Sequence, residues 1–183
     1  AIFCYVGTEQ GVANWISQFL ALYHDIDPQV QGAKTISNFW GMMTLGTLLG
    51  LLLLKFLDSR KVLIVASVGT TFFLISALFG STEQALIAFP LIGFFISTMW
   101  SIIISLALNS VAEAHGSFSG ILVTGIAGGA IVPFIVGALG DVFGLKTGML
   151  FLFITLFFIL SIGFWSKPLI NNETLLSISR KKN

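Results

Sequence analysis

Apolar residues run along the chain in six long stretches, and nearly all the charges fall in the short segments between them. The stretches cover 2–22, 33–54, 62–80, 84–108, 117–139 and 146–165. Each has about the length an α-helix needs to cross a bilayer, roughly 20 residues. They are continuous runs, without the alternation of a barrel strand. Lipid cannot satisfy an open N–H or C=O, so the pattern predicts six transmembrane helices. The expected fold class is all-α: a polytopic membrane bundle over residues 1–166. The connections at 23–32, 58–61, 81–83, 111–116 and 140–145 are too short to hold a soluble domain. From 167 onward the composition turns polar, and 167–183 reads as a cytoplasmic tail.

Charge adds an orientation. Only 9% of residues are charged against 56% hydrophobic, too few charges to solvate a soluble domain. Six spans place both ends on one side. That side holds Lys55, Arg60, Lys61, Lys167, Arg180, Lys181 and Lys182, and the other holds Lys34 and Lys146. Seven basic residues against two put the first side, with both ends, in the cytoplasm. The expected location is an inner or plasma membrane, with the lipid bilayer as partner and no nucleic acid. The chain opens on Ala1 with no charged leader, and it reads as a piece of a longer protein rather than one headed by a signal peptide. Cys4 is the single cysteine, so it offers neither an internal disulfide nor a metal site.

Candidate chemistry lies in the polar residues inside the spans. Glu9 is the carboxylate set well within a stretch. A buried acid reads either as a group facing a wet cavity, for substrate or proton, or as a tie to another helix or to the interface. Gln10, Asn14 and Gln18 follow at intervals of four, along one helix face. Amides offer donor and acceptor together, which suits a neutral hydroxylated ligand; interhelical bonding is the competing reading. Gly7 and Gly11 flank Glu9, so the helix is expected to unwind or bend there. In the fourth stretch Thr98, Ser101, Ser105 and Asn109 form a polar stripe, with Trp100 beside it as a stacking surface. Asn38 and Trp40 lie near the outer edge of the second, where Trp40 also fits an interfacial belt.

Glycine numbers 19 and recurs as Gly46/Gly50, Gly116/Gly120 and Gly125/Gly129, spacings that let helices approach closely. Residues 125–133 (GIAGGAIVP) predict a kink in the fifth span, and Pro90 predicts a bend in the fourth. There is no phosphate-binding glycine loop and no HExxH, and His24 and His115 fall in loops. Residues 117–120 (SFSG) only faintly resemble an intramembrane protease motif, with no histidine in a later span as base. No arginine ladder marks a voltage sensor. Neither an enzyme nor a bound cofactor is expected.

Three stretches carry a resemblance. Residues 5–9 (YVGTE), 93–107 (GFFISTMWSIIISLA) and 116–141 resemble helices seven, ten and eleven of the fucose–galactose–glucose:proton symporters, within the major facilitator superfamily. The resemblance implies the C-terminal six-helix half of a sugar carrier. A second half would complete it, and the two would move by alternating access around a central site. It implies a monosaccharide and a proton as substrates. The family's best-known coupling carboxylates lie in the other half. Glu9 then matches a cavity-lining position and is the proton-coupling candidate here. Gln10, Asn14, Asn38, Trp100 and Ser101 are the further sugar-binding candidates. Asp58, Arg60 and Lys61 stand in the loop that carries the superfamily's basic gating motif. Two positions depart from the pattern: Ser101 replaces a proline, and Trp100 replaces Tyr or Phe. The alternatives are a non-transporting membrane receptor or scaffold of the same fold, or a facilitator for another hydroxylated solute.

Overall fold

In the computed structural model, residues 1–111 and 115–169 are described. The greater part of the expected tail, with Arg180, Lys181 and Lys182, lies outside the described residues. All regular structure among the described residues is helical. Span one is α1 (Ile2–Ala13) and α2 (Ile16–His24). Span two is a π-turn (Pro28–Gly32) running into α3 (Ala33–Leu53), and span three is α4 (Ser59–Phe79). Span four is α5 (Thr82–Ile96) and α6 (Met99–Leu108). Span five is α7 (His115–Thr124), a 3₁₀ turn (Gly125–Ala127) and α8 (Gly128–Phe143). Span six is α9 (Leu145–Met149) and α10 (Phe151–Trp165). Five of these, Pro28–Leu53, Ser59–Phe79, Thr82–Leu108, Gly116–Phe143 and Leu145–Trp165, are long and apolar enough to cross a bilayer by length and composition. The first predicted stretch is instead divided into helices of 12 and 9 residues.

Local chemistry sets the ends. The Asp27 carboxylate accepts from the N–H groups of Gln29 and Val30, and Pro28 opens the turn where its missing N–H costs nothing. Asp58 caps α4 by accepting from Arg60 N–H at 2.8 Å. Ser81 and Gln84 form a reciprocal capping box on α5. Asp25 closes α2 in the left-handed region (φ 55°), and Gly144 (φ 87°) turns span five into span six.

Span four packs on spans two and three, span three on span six, and span one on spans five and six; five also meets six, and two meets one. Phe19, Phe39, Phe89, Leu63, Leu74, Ile92 and Met99 fill the interior. The outside is apolar too. Leu48, Leu51, Phe72, Phe134 and Phe157 are all exposed, a surface that belongs in lipid and not in water.

Several expectations need correction. Span one does not open around Gly7 and Gly11; α1 is continuous there and breaks at Asn14–Trp15. Those glycines serve contact instead, Gly7 lying on Val132 and Gly11 on Leu152. The break also divides the expected amide face, with Gln10 on α1 and Gln18 on α2. Span four carries a break the sequence did not announce, at Ser97–Thr98, where the Ser97 hydroxyl bonds back to Phe94 O at 2.7 Å; Pro90 lies inside α5. Gly46 and Gly50 pack against Phe94, Ser97 and Thr98, and Gly125 and Gly129 against span one. Gly116 and Gly120, however, face open space. The kink expected in 125–133 falls at its start, as the 3₁₀ turn.

Candidate functional site

The broken helices border a central recess of about 400 Å³. Span one contributes Tyr5, Val6 and Glu9; span two, Met43 and Thr47; span four, Ser97, Trp100 and Ser101; span five, Ile126. Ser97 belongs to the break in span four and Ile126 to the 3₁₀ turn of span five. The other lining residues lie on regular helix, in α1, α3 and α6.

Glu9 is half-buried and accepts a hydrogen bond from Gln10 Nε2 at 3.2 Å. Tyr5 is buried one turn earlier, and its hydroxyl interacts with the Glu9 carboxylate. The Tyr5 ring meets the Trp100 indole with centroids 5.8 Å apart and planes inclined by 53°. Thr47 donates to Met43 O at 2.9 Å and Ser97 to Phe94 O, so both present oxygen lone pairs rather than protons. Ser101 is exposed at the rim. The recess therefore combines a carboxylate, hydroxyl oxygens and two inclined aromatic rings. That set can hold a ligand with hydroxyls on its edge and C–H groups on its faces. No cluster of three or more metal-ligating side chains occurs among the described residues.

Of the residues singled out from sequence, Glu9, Trp100 and Ser101 share this recess. Gln10 reaches it only through its bond to Glu9. Asn14 is exposed as the cap of α1 and does not line it. Asn38 lines a separate groove of about 570 Å³ with Ser37, Gly41, Pro90 and Leu91. Tyr5, Thr47 and Ser97 were missed. Tyr5 stands four residues before Glu9, a helical spacing that would have placed it beside the acid.

At the start of span three, Arg60 Nε lies 3.4 Å from Asp58 and Arg60 Nη1 donates to Ser166 O at 3.3 Å. The Asp58–Arg60 pair thus joins the start of span three to the end of span six. Lys61 is exposed beside it.

No protein-family profile matches the chain. It is 34% identical over 155 residues to a glucose/galactose transporter of Brucella abortus, covering 81% of this chain and 36% of that protein. It is 29% identical over 140 residues to a putative glucose/galactose transporter of Helicobacter pylori, covering 76% of this chain and 34% of that one. The chain thus spans about a third of the length of these relatives. Its fold matches the crystal structure of FucP, a major facilitator superfamily transporter in the outward conformation. The TM-score is 0.83 at 21% identity, over 91% of this chain and 40% of that one. This multi-pass membrane chain is homologous to part of the glucose/galactose transporters and has the fold of part of a major facilitator superfamily transporter.

Proposed function

We propose that the protein is a membrane carrier of monosaccharides of the glucose, galactose and fucose class, coupled to protons and working by alternating access. It is not an enzyme in this reading. The observation that carries it is the central recess, where Glu9 and Tyr5 stand beside the Trp100 indole. The names and sequences of the relatives support a sugar as cargo. A pyranose offers its C–H face to the aromatic pair and its hydroxyls to Glu9, Thr47, Ser97 and Ser101. A second helical bundle closes the recess from the opposite side. The helix breaks at Ser97–Thr98 and Gly125–Ala127 let the wall shift locally as the two bundles rock. The distribution of basic residues supports an inner or plasma membrane, with both ends of this segment cytoplasmic.

Glu9 either bonds the sugar hydroxyls or carries the proton, and one substitution separates these roles. External pH is recorded while sugars are added to de-energised cells expressing the whole protein. Alkalinisation on adding galactose, glucose or fucose establishes symport; its absence despite normal membrane expression removes the coupling. Glu9→Gln abolishes accumulation but spares exchange if the residue couples protons, and abolishes both if it binds sugar. Unchanged uptake takes Glu9 out of the site.

A further inference from the structure

A second polar recess, of about 460 Å³, opens between α2 and the end of α8, and it shares no lining residue with the central one. Trp15, Gln18 and Tyr23 come from span one, and Gly137, Gly140 and Asp141 from span five. It lies beyond the Asn14–Trp15 break, on the α2 side, whereas Glu9 is on α1.

Its frame is fixed. Trp15 Nε1 donates to Pro133 O at 3.2 Å, and a Cβ on Gly137 would stand 2.7 Å from Trp15 Cζ2. Glycine at 137 is what lets the indole lie along α8. The Tyr23 hydroxyl accepts from the Lys146 backbone N–H at 3.1 Å, and the Lys146 ammonium sits 5.2 Å from the Tyr23 ring. Two other polar groups in the wall are uncommitted. Gln18 and Asp141 are exposed, and neither takes part in a hydrogen bond or ion pair among the described residues.

We propose that this recess is a second saccharide site, which loads or releases the sugar that the central recess carries. The proposal rests on the sugar-carrier reading. The chemistry narrows the ligand. One carboxylate is too few for a hard cation, which collects several oxygens, and it repels an anion. An amide and a carboxylate beside a half-buried indole suit a neutral polyol with an apolar face.

The test uses the full-length protein with Phe replacing Trp40, Trp100 and Trp165, so that Trp15 is the sole fluorophore of this chain's four tryptophans. Any tryptophan elsewhere in the full-length protein is likewise replaced by Phe. D-galactose is expected to shift Trp15 emission in a saturable way. The shift is expected to disappear when Asp141→Asn and Gln18→Ala are added, with the far-ultraviolet spectrum unchanged. A parallel protein retains Trp100 instead. A saturable Trp100 signal with no Trp15 signal overturns the second site and leaves the carrier reading standing. A Trp15 signal that survives Asp141→Asn with Gln18→Ala reports the central site at a distance and also overturns it. Silence from both tryptophans with galactose, glucose and fucose overturns both readings together.

Discussion

Thr8 and Thr155 are both buried, and their hydroxyl oxygens stand 2.6 Å apart between spans one and six. Thr8 also bonds Cys4 O at 2.7 Å, and Thr155 bonds Leu152 O at 2.8 Å. Two protons serve three contacts, so one contact must share. Replacing either threonine by valine leaves the other with its own backbone carbonyl. The expected loss is about 0.5–1.5 kcal/mol for either single variant. The double variant loses clearly less than the sum, because both changes remove the same link. Reversible unfolding in mixed detergent micelles reads all three. A strictly additive double variant would show that the pair does not interact. In the central recess the Trp100 ring contributes contact area rather than a proton. Trp100→Ala is expected to raise the half-saturating sugar concentration roughly five-fold, about 1 kcal/mol, and Trp100→Phe by less. Equal effects of the two substitutions would assign Trp100 a role other than ring contact.

At the scale of the helix, glycine decides how closely the spans meet. A Cβ on Gly128 would collide with the backbone of Phe3, and one on Gly46 with the backbone of Phe94. Backbone cannot swing aside as a side-chain tip can, so Gly128→Ala and Gly46→Ala are each expected to cost about 1–3 kcal/mol. Thermal denaturation in detergent measures this, and a cost below a few tenths would mean the spans sit further apart. The spans themselves were legible in the sequence, since about 20 apolar residues between charges admit few readings in lipid. Their breaks were less so. Residues 125–133 announced a kink through glycine and proline, but the break at Asn14–Trp15 carries neither. There Trp15 leaves the helical path to bond Pro133 O, a contact 118 positions away that no local pattern encodes. The recess follows the same division. Glu9 and Trp100 stood out as polar or aromatic groups within apolar runs. Thr47 and Ser97 enter only because spans two and four meet at Gly46, bringing unremarkable residues to one wall. Asn38 looked equivalent but lines a separate groove between the same two spans.

For the molecule as a whole, burial is uneven. Within the apolar windows of spans two and five, 17% and 22% of residues are buried, against 44% in spans three, four and six. Those two spans pack chiefly on spans four and one, respectively. Their free faces include small and polar residues, Asn38, Gly41 and Thr44 on one and Gly116, Gly120 and Thr124 on the other. Lipid gains nothing from an exposed glycine or amide, whereas a second helix gains close approach and a bonding partner. These faces therefore suit a second bundle, which would also close the central recess on its open side. Two outcomes follow. Expressed alone, residues 1–183 are expected to aggregate on extraction, and co-expression with the remainder of the protein as a separate chain is expected to restore a monodisperse complex. Gly120→Ala, harmless to this bundle because nothing lies within 4 Å, is expected to weaken that complex. Co-purification with unchanged yield across Gly120→Ala would leave span five facing lipid and move the docking surface elsewhere.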